Sequence, residues 1–304
     1  MRPFLICAFL SMALCLGSCD RRPEDKAAET MWRGSLTVWC DESVAPLLTS
    51  QIDAFSKKYP DARIDMRVAA GREVMEALLS RKARIALLAR GYLRDEDSLM
   101  KAFGVEPHRR LHVATDALVF FTRKGFPSDT LSVEAIHAYL SSGEGLAGRI
   151  HGLNDKVRLV CPGPLSSVVG NVVLQCNDGK PFSAKARIAY AGTMDSVKRC
   201  VRSDPDAIGV GLLSDMIKDT AAFKLLGIKY TDKDMNRRSM KVEQSAVYRE
   251  MYPYPVKIEA YLLENLRNLP MGMASFLAFE TGPQKYFLDQ GIVPAYARIQ
   301  LIEE

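Results

Sequence analysis

The chain has 304 residues, 48% of them hydrophobic and 25% charged, with a formal net charge of +5. That is the composition of an ordinary globular core, and without a long basic stripe it gives nucleic acid nothing to bind. After Met31 no apolar run reaches the roughly eighteen residues that a membrane-spanning helix needs.

Met1-Arg2-Pro3 carries one positive charge and leads into the apolar run Phe4 to Leu16. As a helix that run reaches about 20 Å, short of a hydrocarbon core of about 30 Å, so a signal peptide over residues 1–18 is the better reading. Leu16-Gly17-Ser18-Cys19 resembles the lipobox cut by lipoprotein signal peptidase. The expectation is a lipid-anchored Cys19 facing the cell envelope, and the alternative is a plain secretory signal in which Cys19 is incidental. Residues 19–30 are too charged to bury anything and read as a solvated tether.

From there strands and helices alternate. Ser35 to Trp39 is a β-type run, and Val44, Leu47, Leu48, Ile52 and Phe55 follow at helical spacing. Arg63 to Val68, Val74 to Leu79, Arg84 to Ala89 and Asp95 to Phe103 repeat strand, helix, strand, helix. This order implies an α/β fold with a mainly parallel sheet flanked by helices. Leu111 to Phe121 is a second apolar β-rich stretch, and a new series opens at Ser132 to Leu140. It continues through a strand at Val157 to Cys161, helices from Ser166 to about Cys176 and from about Thr193 to Arg202, and a strand at Ala207 to Val210. After a polar stretch from Tyr230 to Glu250 come a strand at Val256 to Leu262 and helices around Met271 to Phe279 and Gln284 to Gln290.

Beyond Cys7, Cys15 and Cys19, the cysteines Cys40, Cys161, Cys176 and Cys200 show no C-x-x-C or zinc spacing. An oxidising envelope permits a disulfide among them, and buried free thiols are the simpler state. His108, His112, His137 and His151 fall in no H-E-x-x-H pattern, and neither a G-x-S-x-G nor a Walker loop occurs. On a strand, His108 and His112 would stand about 13 Å apart. No catalytic residue, metal or cofactor is expected.

Several segments, in order, resemble the type II periplasmic binding proteins related to the phosphate-binding component of phosphate ABC transporters. They are Asp41-Glu42-Ser43-Val44-Ala45-Pro46-Leu47, the run Leu78 to Ala86, Arg90-Gly91-Tyr92-Leu93, Thr115 to Phe121 with Leu131 to Leu140 after it, Val197 to Val210, and Phe276 to Lys285. The resemblance implies two α/β lobes with the ligand between them: lobe one at residues 31–115 and 255–304, lobe two at residues 116–254. It also implies hinge closure over ligand, an ABC permease as partner, and phosphate or a similar small oxyanion as ligand.

A serine at a strand-to-helix turn suits such a ligand, because the helix start offers unpaired N–H groups and a partial positive charge. Ser43-Val44 and Ser166-Ser167-Val168 are two such turns, and the second resembles the family's phosphate loop. Equally, these serines could be helix caps, each contributing about 1 kcal/mol. Arg90 stands where the family has an arginine-led turn and could add a bidentate contact; Arg72, after Gly71, could do the same or cover a helix start. Asp41 and Glu42 could accept a proton-bearing phosphate oxygen or satisfy the first helix themselves. The chain departs from the family at Cys161-Pro162 and Gly163-Pro164-Leu165, where tight phosphate binders have an arginine and a glycine-serine-glycine-threonine run. A ligand-free scaffold or sensor is therefore the competing expectation.

Overall fold

The computed structural model describes residues 28–146 and 153–296. The expected signal peptide and Cys19 lie outside them, as does His151. In chain order the elements are β1 (Gly34–Asp41), α1 (Ala45–Lys58), β2 (Ala62–Ala69), α2 (Gly71–Leu79), β3 (Ile85–Leu88), α3 (Arg94–Ala102) and the long β4 (Arg109–Arg123). Next come β5 (Thr130–Ser132), α4 (Val133–Ser142), β6 (Arg158–Cys161), α5 (Ser167–Asn171), β7 (Ile188–Tyr190), α6 (Met194–Ser203), β8 (Ala207–Leu212) and α7 (Leu213–Met216). The chain then forms β9 (Phe223–Leu225), β10 (Gly227–Thr231), β11 (Arg237–Met240), α8 (Gln244–Tyr248), β12 (Pro255–Leu262), α9 (Leu269–Phe279), α10 (Thr281–Asp289) and β13 (Val293–Pro294).

Helix α1 buries Ala45, Leu47, Leu48, Ile52 and Phe55 on one face, starts with a proline in its first turn and ends on Lys57 and Lys58, which suit the negative end of its dipole. Strand β8, Ala207–Leu212, is buried at every position, as a strand covered on both faces must be. The helix expected from Ser166 to Cys176 is α only as far as Asn171; Val172–Cys176 continues it with π-type winding.

One ten-stranded sheet runs in the order β2-β1-β3-β12-β4-β8-β6-β7, with β13 and β9 also paired to β4. Pairing is parallel for β1 with β2 and β3 and for β6 with β7 and β8; β12 and β4 are antiparallel to their neighbours. This is the expected mixed, mainly parallel α/β architecture. A smaller sheet, β11-β10-β5, lies apart. It takes up part of the stretch read as merely polar.

Strand β4 runs unbroken through the expected boundary at residues 115 and 116. Its first half pairs with β12 and its second with β8. The chain returns beside it: Leu118 N–H donates to Tyr254 O at 2.9 Å, and the Tyr252 hydroxyl donates to Leu118 O at 2.8 Å. Two adjacent crossings thus join the two halves, and the C-terminal β12 lies between β3 and β4. Cys40, Cys161 and Cys176 are buried free thiols, and Cys200 is a half-buried one.

Candidate functional site

At the end of β1 the buried Asp41 is spent on the backbone. Its Oδ1 accepts the Ser43 N–H at 3.0 Å and its Oδ2 the Ala89 N–H at 3.2 Å, tying the ends of β1 and β3 together. Of the two uses expected for Asp41, holding its own turn is the one its bonds serve. Val44, fully buried, caps α1 without a side-chain bond. Ser43 makes no capping contact, and its Oγ is buried without a partner. Glu42 stands beside it at the cavity's edge, its carboxyl held above the usual range by partial desolvation and by the charges of Asp41 and Glu73.

In the other half, Ser166 is the cap of α5, its Oγ accepting the Val169 N–H at 3.3 Å. Ser167 is the first helical residue; it is fully buried and its Oγ has no partner. It faces the start of α2 at very close range: a Cβ added to Gly71 would stand 2.0 Å from Ser167 Oγ. Two bonds cross here, Arg72 N–H to Leu165 O at 3.0 Å and Asn171 Nδ2 to Ala89 O at 2.7 Å. The two helix starts therefore meet each other directly.

Arg90 is 2% exposed and bidentate to Glu96, both arms at 2.7 Å. It also donates to Gly71 O and Gly91 O. In this arrangement both terminal nitrogens of Arg90 are engaged within the protein. Glu96, six residues on, also accepts the Leu93 N–H at the start of α3, so one carboxylate caps a helix and neutralises a buried cation. Arg72 is half-exposed and paired with Asp95, which holds the Asp95 carboxyl below its usual range. Its expected role against an anion is thus in competition with Asp95.

Ser43, Ser166, Val168 and Glu42 do come together, around a cavity of about 300 Å³ between the lobes. A further wall is the start of α6, which in the sequence is legible only as a helix. There Thr193 is the cap, its Oγ accepting the Ser196 N–H at 3.3 Å, and Met194 and Asp195 line the cavity. The T-x-x-S spacing of Thr193 and Ser196 was the available signal. Three helix starts, those of α1, α5 and α6, converge on this space and bring the positive ends of their dipoles to it. Some first-turn donors are already used: Leu47 N–H bonds Val44 O, and the Val169 and Ser196 N–H groups bond their cap hydroxyls.

Lys198 and Asp215 also line the cavity. Lys198 Nζ donates to Asp215 O at 2.8 Å and to the Asp219 carboxylate at 2.6 Å. Burial, with the charges of Asp116 and Asp41 added, pushes the Asp215 carboxyl up to about 7 against the pull of Lys198. Asp116, fully buried on β4 and hydrogen-bonded by Ser214 and the Ala117 N–H, is pushed up by burial to about 6. Among the described residues no cluster of three or more His, Cys, Asp or Glu side chains is arranged to hold a metal ion. His112 bonds Thr115 Oγ1 and His108 bonds the Tyr92 hydroxyl.

Residues 25–279 match the family described as a PBP superfamily domain. The chain belongs to the PBP superfamily. This is the family type the sequence resembled, and solved structures agree at the level of fold. A Clostridium perfringens protein solved with bound phosphate is 17% identical, with a TM-score of 0.65 over 86% of this chain and 99% of that one. An ABC-type phosphate transport receptor from Vibrio cholerae is 14% identical, with a TM-score of 0.64 over 86% of this chain and 100% of the receptor. A mutant of Corynebacterium glutamicum OxyR with H2O2 bound also superposes, at 12% identity and a TM-score of 0.55 over 86% of this chain and 67% of the other. No curated protein is similar in sequence. The same fold thus carries different ligands and roles, and function has to be argued from the site.

Proposed function

We propose that the chain is a solute-binding lipoprotein of the cell envelope that takes a small oxyanion, phosphate foremost, in the cavity between the starts of α1, α5 and α6. The convergence of these three helix starts on one space, beside the unpartnered Ser43 hydroxyl, is the observation that carries this reading. Cys19, lipidated, holds the chain to a membrane, and an ABC permease receives the ligand. Glu42, Asp195 and Asp215 make the cavity acidic, with Lys198 the one cation among the described residues that line it. A fully ionised anion is repelled there, whereas one that carries a proton, or meets a protonated Asp215, is accommodated.

The sign of the pH dependence follows. Asp215 is pushed up to about 7, so it gains its proton as pH falls through that value, and anion affinity rises from pH 8 to pH 6. Titration of phosphate and sulfate by calorimetry at both pH values is the test: sulfate, which does not titrate over this range, should bind Asp215→Asn nearly alike at the two, whereas phosphate, which gains a proton of its own, should keep part of its dependence. Thr193→Val removes the cap of α6 and should weaken binding several-fold. No binding of either anion at either pH would end the reading.

A second reading, a ligand-free scaffold or sensor, is favoured by Arg90 being consumed by Glu96 and by the lobes meeting directly at Gly71 and Ser167. The same titration separates the two.

A further inference from the structure

We propose that a second pocket, on the α3 side of the Gly71–Ser167 contact, binds a small organic anion: Arg94 and Lys180 hold its charged head, and apolar walls from both lobes hold its body. The pocket measures about 470 Å³, within the roughly 300–1,000 Å³ typical of small-molecule sites.

Its charges decide the sign of the ligand. Of the five charged side chains lining it, Arg72 is paired with Asp95, and Arg90 is neutralised by Glu96 beneath the surface. That leaves two cations without a carboxylate. Arg94 donates to the backbone oxygen of Asp178, whose own carboxylate is engaged by His137. Lys180 Nζ has no partner among the described residues. Arg94 reaches this position because Gly179, at φ +69°, has no Cβ: one built there would stand 2.8 Å from Arg94 Nε. Lobe one thus supplies one cation and lobe two the other.

The walls decide the rest of the ligand. Leu93 from lobe one faces Leu165, Val169, Val173 and Pro181 from lobe two. A bare inorganic anion keeps its hydration and gains nothing from such walls, whereas an apolar body gains about 25 cal/mol for each Å² it removes from water. A carboxylate or phosphate monoester on an aromatic or branched aliphatic body satisfies both demands. Because both lobes line the pocket, its occupant bridges them. Ser166 lies between this pocket and the oxyanion cavity, so the variants that test this site leave it untouched.

Phenyl phosphate is the probe, titrated by calorimetry into the full chain in detergent micelles, with and without saturating inorganic phosphate. Binding is expected in both conditions, at one equivalent when inorganic phosphate is present. Arg94→Ala with Lys180→Ala should weaken it at least tenfold while leaving any inorganic phosphate isotherm unchanged. Lys180→Glu alone should weaken it as well, and because both side chains are exposed the melting midpoint of each variant should stay at the wild-type value. Benzyl alcohol, apolar and uncharged, should not bind. Absence of phenyl phosphate binding, its displacement by inorganic phosphate, equal binding by the variants, or equal binding of benzyl alcohol would each overturn the proposal. Failure of inorganic phosphate to bind would not touch it.

Discussion

Arg90 takes a full charge into the interior, and Glu96 is what makes that tolerable. A buried ion pair has little net stabilising value, since both partners lose water, but removing one partner leaves the other uncompensated at a cost of about 3–5 kcal/mol. Glu96 also holds the Leu93 N–H, so Glu96→Ala should fall at the upper end of that range in urea unfolding. Arg90→Met with Glu96→Leu should recover most of the loss. A Glu96→Ala variant as stable as the wild type would mean that the pair contributes nothing. The sequence showed Arg90 as a candidate ligand contact because a lone arginine is legible, whereas its partner is not. Six residues separate the two across a turn, which is no helical spacing, and only the folded turn brings the carboxylate round. Asp215 was missed for a related reason, since its raised pKa arises from burial and from Asp116, ninety-nine positions earlier and on a different element.

At the scale of elements, α2 and α5 meet so closely that Gly71 has no room for a side chain. Glycine to alanine within a helix ordinarily stabilises by roughly 0.5–1 kcal/mol. Here the added Cβ at 2.0 Å from Ser167 Oγ overpacks the contact, at a cost of about 1–3 kcal/mol, and the second effect wins. Gly71→Ala should therefore lower the melting midpoint by a few degrees and speed hydrogen exchange at the Arg72 amide, which bonds Leu165 O across the lobes. Ser167→Gly in the same chain should restore both. Unchanged exchange in Gly71→Ala would show that the contact does not hold the lobes. The longer elements were legible because each presents several periods of its pattern, as α1 does with five buried apolar residues. Strands β7, β9 and β11 were not. Each has only three or four residues, and β11, Arg237–Met240, is exposed at three of its four positions, so no alternation is there to be seen.

Across the whole molecule, β4 belongs to both lobes at once, pairing with β12 and β13 through its first half and with β8 and β9 through its second. This strand is the one that joins β12 to β8 in the sheet order, and it cannot leave one lobe without disturbing the other, so the two should unfold together. The two tryptophans, Trp32 and Trp39, both lie in lobe one, whereas far-UV circular dichroism reports on the entire chain. The two signals should give coincident transitions in urea. A tryptophan transition displaced from the dichroism transition would mean that the lobes unfold separately and that β4 does not couple them.

Local pattern was enough for the sequence to determine the α/β class, the order of the main elements, the family type and the helix starts that Ser43 and Ser166 flank, because periodicity and turn chemistry are written within a few residues of one another. The tertiary structure alone decided which charged groups remain available to a ligand. Asp41 is taken by the Ala89 N–H and Arg90 by Glu96, while the start of α6 is brought to face those of α1 and α5. Those outcomes depend on desolvation and on contacts between segments far apart in the chain, and neither is encoded in local spacing.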